Sequence, residues 1–157
     1  MASPLGGWTV ALTGAFNEST VTGLTPIEAG ISGAVLDHRL AGPQVSGSLR
    51  VGYEWEMQPG VMANASVAVS HIGDFPNSFP NTPGQPTVPL STYDYTDSYT
   101  FANANFAVAF DNFTVGAYVE NIFDDRSVTY VHIENFLDSR YARLRPRTLG
   151  VRIGYEF

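Results

Sequence analysis

The chain has 157 residues, enough for one domain, with 44% hydrophobic, 13% aromatic and only 15% charged residues, and a mean hydropathy of -0.03. So many aromatics exclude a disordered chain, and the lack of any apolar run of about 18 residues excludes a transmembrane helix. Fifteen acids against eight bases, all of them Arg, give a net charge of -7, which excludes sequence-independent nucleic-acid binding, and the absence of cysteine excludes disulfides and thiolate zinc sites. Two classes are as poor in charge as this: a soluble β-protein with an uncharged polar surface, and a β-barrel whose outer face meets lipid.

Alternation of apolar and polar residues, the period of a half-buried strand, runs through most of the chain, while helical spacing is scarce. The first predicted strand carries Trp8, Val10, Leu12 and Phe16 on one parity. Ahead of it, Met1 to Gly7 holds no basic segment followed by an apolar core, so no secretory signal is expected there. Residues 17–43 have Gly, Pro and acids without alternation and read as a long loop. The second strand sets Val45, Leu49, Val51, Tyr53 and Trp55 against Ser46, Ser48, Arg50 and Glu54, and a short turn at 57–60 ends it. A third strand starts at Val61, with Ala63, Ala65, Val67 and Val69 on its apolar side.

A second long loop, residues 73–98, holds five prolines from Pro76 to Pro89. The fourth strand runs to Phe110, with Ala104, Phe106 and Val108 opposite Asn103 and Asn105. Asp111-Asn112 is a tight turn. The fifth strand, from Phe113, is expected to continue past Asn121 to Val131, and a third loop covers residues 133–140. The last strand sets Leu149, Val151, Ile153, Tyr155 and Phe157 against Arg152 and Glu156.

Turns that alternate long and short along an antiparallel meander place the short ones at one end of the sheet and the long ones at the other. The expected fold is therefore all-β: an antiparallel meander of about six strands, a partial transmembrane β-barrel spanning residues 1–157. Two patterns support a lipid-facing outer surface. The strand charges Arg50, Glu54, Glu120, Arg152 and Glu156 all share the polar parity, and Trp8, Tyr53, Trp55, Phe110, Phe113, Tyr155 and Phe157 gather at the short-turn end as an interfacial girdle.

The segment from Val115 through Asn121-Ile122-Phe123-Asp124 to Asp125 resembles the penultimate-strand signature of TonB-dependent outer-membrane receptors. Arg145-Pro146-Arg147-Thr148-Leu149-Gly150, running on to Tyr155-Glu156-Phe157, is similar to the closing strand of that family, and Ala41-Gly42-Pro43-Gln44-Val45 to a passage upstream of it. The resemblance implies the C-terminal part of a receptor barrel of about 22 strands. It further implies energised uptake of a scarce nutrient of the siderophore, cobalamin or glycan class, in the outer membrane of a Gram-negative bacterium. The implied partners are outer-membrane lipid, the barrel-assembly machinery reading Tyr155 and Phe157, and the remaining barrel with its plug, through which TonB acts. About six strands leave no room for a plug within this chain.

Ligand contacts are expected, if anywhere, from Tyr93, Tyr95 and Tyr99 at the second loop. Asp124 and Asp125 read as a polar strand continuation rather than paired acid and base, and Arg143, Arg145 and Arg147 as a solvated strand start rather than an anion site. His38, His71 and His132 lack metal-ligand spacing. No phosphate loop or nucleophile elbow occurs, so neither an enzyme nor a cofactor is expected. Two alternatives stay open: a lipocalin-like soluble barrel, suggested by Gly6-Gly7-Trp8, and a complete small outer-membrane barrel with a further hairpin near Ile31 to Leu36.

Overall fold

The structure, a computed structural model, describes residues 7–132 and 139–157. Six long strands form one antiparallel sheet: β1 (Trp8–Phe16), β2 (Val45–Gln58), β3 (Val61–Ile72), β6 (Tyr99–Phe110), β7 (Phe113–Glu120) and β10 (Thr148–Tyr155), adjacent in that order. The expected meander is what forms. Its register follows from the alternation, because a slip of one residue would turn every apolar side chain to the other face. Val10 thus faces Val51, Val51 faces Val67, and Val67 faces Ala104 on one side of the sheet. On the other side Ala11 faces Arg50, Arg50 faces Ala68, and Ala68 faces Asn103.

Both short turns are two residues long. Pro59-Gly60, with Gly60 at φ 77, joins β2 to β3 beside a bulge between Glu56 and Gln58. Asp111-Asn112, with Asp111 at φ 47, joins β6 to β7. They lie at the same end of the sheet, and the three long connections at the other. Among the described residues β1 and β10 each pair on one side only, so the sheet is open.

The long connections hold structure that the alternation did not signal. Residues 17–43, expected as loop, contain helix α1 (Pro26–Ser32), started by a Thr25/Glu28 capping box and ended at Gly33 in the left-handed region. Ile31 to Leu36 therefore lies at the helix end and forms no hairpin, so the further hairpin of a complete small barrel is not made there. Residues 73–98, also expected as loop, contain a hairpin of β4 (Asn81–Thr82) and β5 (Gln85–Pro89) around Pro83-Gly84. The fifth strand does not run on to Val131. It ends at Glu120, because Asn121 takes φ 50, and residues 128–132 form β8 (Val128–His132), paired with β9 (Arg140–Arg143) in a separate hairpin. Of the third loop expected at 133–140, residues 133–138 lie outside the described ones, and Arg140 belongs to β9.

Among the described residues, the buried side chains, Ala34 and Ala63 included, do not form a layer under the sheet. Pro76, Thr96, Tyr99, Ala102, Asn121, Val128 and Val131 collect where β6 meets the second and third long connections. The large apolar residues of the sheet stay open instead, Leu12 at 77% and Val151 at 78% exposure.

Candidate functional site

The two faces of the sheet differ in shape as well as chemistry. A cleft of about 460 Å³ lies on the polar face, where Arg50, Ser66, Asn103, Asn105, Tyr118, Glu120 and Arg152 line it. Every Arg, Asp and Glu of the six long strands has this parity. Ser66 hydrogen-bonds Asn105 here, and Tyr118 lies across Gly150, where any β-carbon would strike its ring. The Arg152 guanidinium sits 5.9 Å from the centre of that ring. The concave side is thus polar. A lipocalin-like barrel needs its apolar parity inside, so this sheet corrects that alternative.

On the opposite face the aromatic residues meet at the short-turn rim as the sequence predicts. Trp8, Tyr53 and Trp55 follow one another with ring centroids 4.6 Å and 5.4 Å apart, and Trp55 reaches Phe106 at 6.1 Å. Phe110, Phe113, Tyr155 and Phe157 continue the row at 5.8, 4.8 and 5.1 Å. Tyr155 faces Phe113 in the sheet, whereas Phe157 lies beyond the end of β10 and is fully exposed.

The long-connection end is held by side-chain hydrogen bonds. Arg39 of the first connection donates from Nη1 to Asp74 Oδ2 at 3.3 Å and from Nη2 to the Asp74 carbonyl at 2.8 Å. His38 Nε2 lies 2.8 Å from the Tyr93 hydroxyl, which donates to Tyr95 at 3.1 Å. Burial, followed by the bond to Tyr95, pushes the Tyr93 phenol above its ordinary pKa. The structure therefore brings Tyr93 and Tyr95 together and leaves Tyr99 out. Tyr99 is no loop residue: it opens β6, faces Ile72 and is buried against Phe101. His38, 55 residues from Tyr93, has no partner legible in the sequence. The second and third connections are joined by Tyr141 donating to Asp94 at 3.0 Å and Val128 N–H to Asp97 at 2.6 Å.

The motif residues form a clasp between β7 and β10. Asn121 is buried, and its Nδ2 donates to the carbonyls of Asp125 (2.8 Å) and Arg145 (2.7 Å) while its own N–H reaches Asn103 Oδ1 at 2.9 Å. Asp124, also left-handed at φ 52, accepts from the Arg147 N–H at 2.8 Å and from Arg126. The Arg126 hydrogen bond first, and the Arg147 N–H second, hold its carboxyl below the usual carboxylate range. Arg147 also donates from Nη1 to the Ile122 carbonyl, and Arg143 to that of Arg126. Asp125 accepts from Ser127, so the two carboxylates serve separate backbone turns. Phe123 stands 61% exposed beside them, and Pro146 supplies the carbonyl that accepts from Thr148. His71 hydrogen-bonds Thr100 in the sheet, and His132 faces Arg140 in the β8–β9 hairpin.

Searches against family models and curated proteins return no match. Among solved structures, the ferric yersiniabactin uptake receptor FyuA from Yersinia pestis superposes with a TM-score of 0.67 at 17% identity. The match covers 99% of this chain and 21% of the receptor. This chain shares its fold with part of an uptake receptor. At that identity the likeness concerns strand arrangement, and the chain spans about a fifth of the receptor's length.

Proposed function

We propose that the chain is the C-terminal part of the barrel of a TonB-dependent outer-membrane receptor, working in energised uptake of a scarce nutrient of the siderophore, cobalamin or glycan class. One observation carries the proposal: an apolar face left open across all six strands and bounded at one rim by a row of aromatic side chains, opposite a concave polar face. In water that face would cost about 25 cal/mol for each Å² left exposed. In a bilayer it is the surface that a spanning sheet needs. The free edges of β1 and β10 ask for further strands, since unpaired backbone groups are costly in lipid. The rest of the receptor barrel supplies them in this reading, with the plug inside it and TonB acting through that plug. Its role is transport rather than catalysis, and Tyr155 and Phe157 are what the assembly machinery engages.

The purified chain is expected to require detergent or lipid to stay dispersed. A monodisperse, water-soluble monomer without detergent overturns the lipid-facing assignment. The coding DNA around the gene tests the larger receptor: strand-encoding and plug-encoding sequence upstream supports it, and unrelated genes on both sides oppose it.

A further inference from the structure

The basic residues of the chain are unevenly placed. Residues 139–155 hold five of the eight arginines and no acid, in a chain of net charge -7, whereas residues 17–43 have three acids to one arginine and residues 73–98 three acids and no arginine. Arg143, Arg145 and Arg147 stand at every second position where β9 passes into β10, and all three are exposed. Their backbone and part of their donors are tied back to the turn after β7. Arg143 donates from Nη1 to the Arg126 carbonyl at 3.1 Å, Arg147 from Nη1 to the Ile122 carbonyl at 3.5 Å, and the Arg145 carbonyl accepts from Asn121. A guanidinium has five N–H donors, so most remain available. Among the described residues no carboxylate forms an ion pair with any of the three: Asp124 is taken by Arg126 and Asp125 serves Ser127.

The position of these arginines along the strand says what they meet. Eight residues of β10 measure about 26 Å along the strand and about 20 Å across a bilayer at the usual tilt, close to the roughly 25 Å height of an outward apolar band. With Tyr155 at one interface, the residues just before Thr148 stand at the other. Leu149, two positions after Arg147, begins the outward apolar row and is 76% exposed, and Phe123, beside Asp124 in the turn, is also open. The concave cleft is lined by Arg50 and Arg152 and by none of these three. We infer that Arg143, Arg145 and Arg147, with Phe123 as an apolar anchor, bind the phosphate of an anionic lipid headgroup at the long-connection side of the membrane. Planar guanidiniums pair with phosphate through two N–H groups at once, and clustered basic residues at a membrane margin are drawn to anionic headgroups. The inference rests on the lipid-facing reading and adds to it a second interface, held by charge where the first is held by aromatic rings.

The test titrates the full chain in dodecyl maltoside, a detergent without phosphate, with dioleoyl phosphatidate, dioleoyl phosphatidylcholine and inorganic phosphate, and follows the arginine Nε–Hε signals by NMR. Saturable shifts at Arg143, Arg145 and Arg147 are expected with phosphatidate, at an affinity at least tenfold above that for phosphatidylcholine or inorganic phosphate. Replacing the three together (Arg143→Gln, Arg145→Gln, Arg147→Gln) should weaken phosphatidate binding at least tenfold, read on the Phe123 and Leu149 amides. Unmoved β10 amide signals show that this variant is folded; where they move, the shifts of the unaltered chain decide alone. No saturable shift at the three arginines, equal affinity for inorganic phosphate, or undiminished phosphatidate binding by the folded variant overturns the inference. Shifts confined to Arg50 and Arg152 also overturn it, by placing the phosphate in the concave cleft. The lipid-facing reading fails separately: a chain that is water-soluble without detergent sinks it, and a detergent-requiring chain whose three arginines ignore phosphatidate sinks only the headgroup site.

Discussion

The sheet and the layer of long connections are built by opposite means. In the sheet, residues are placed by register, and neighbours meet as broad apolar or aromatic contacts: Val51 between Val10 and Val67, and Phe113 between Phe110 and Tyr155. In the connections, placement depends on single polar bonds with one correct geometry, such as Arg39 to Asp74, Asn121 to the Arg145 carbonyl, or Thr25 to Glu28. A region held by register tolerates exchange of one apolar residue for another and fails when charge enters. A region held by individual bonds fails when one polar atom is removed.

The strongest way to break this contrast is to put charge on the outer face. Val67→Arg, at the middle of β3, is expected to destabilise the membrane-inserted chain by about 2 to 4 kcal/mol, while Ser66→Arg on the polar face costs under about 1 kcal/mol. Urea unfolding in lipid vesicles measures both, and equal effects would remove the distinction between faces. Next comes the clasp. Asn121→Ala deletes a buried side chain that serves two carbonyls and leaves a left-handed backbone to a residue that resists it, costing about 1 to 3 kcal/mol. Asn121→Gly accepts the backbone but loses the bonds, so the gap between the two variants isolates the conformational part.

Smaller effects belong to the helix and to pH. Thr25→Ala removes the cap of α1 and should cost about 0.5 to 2 kcal/mol, read as faster amide exchange confined to residues 26–32. The carboxyl of Asp124 is depressed in the folded chain, so the stability it contributes is complete above its ordinary value of 3.8 and fades as the pH falls through the lower folded value. Protection of the Arg147 amide should therefore persist at neutral pH and be lost only as the pH falls through that lower folded value, beneath 3.8. Asp124→Asn should remove that pH dependence, and loss of protection between pH 6 and 8 would contradict it.

The same contrast explains what could be read from the residues. The sheet was legible because alternation is repeated over whole strands: Val45 to Trp55 states its faces five times, and Pro59-Gly60 and Asp111-Asn112 announce the turns. The connections carried weaker signals that stood in the sequence unread. Thr25-Pro26-Ile27-Glu28 is a capping-box pattern with proline at the first helical turn. Pro83-Gly84 marks the β4–β5 turn, with Gly84 at φ 82. The break of the fifth strand at Asn121 was hidden, because the apolar and β-branched residues from Val128 to Val131 look like its continuation across residues 121–127, where Asn121 and Asp124 take left-handed backbone. Pairings such as His38 with Tyr93 or Asn121 with Arg145 depend on how the connections fold back, which no local pattern reports.

The central claim is that the apolar face meets lipid with its aromatic row at the interface. Both tryptophans of the chain, Trp8 and Trp55, lie in that row. Reconstitution into vesicles of lipids brominated at graded depths tests it directly. Strong fluorescence quenching is expected, greatest for bromines near the headgroups and falling toward the bilayer centre. Tryptophan emission that no brominated lipid quenches, at any depth, would contradict it.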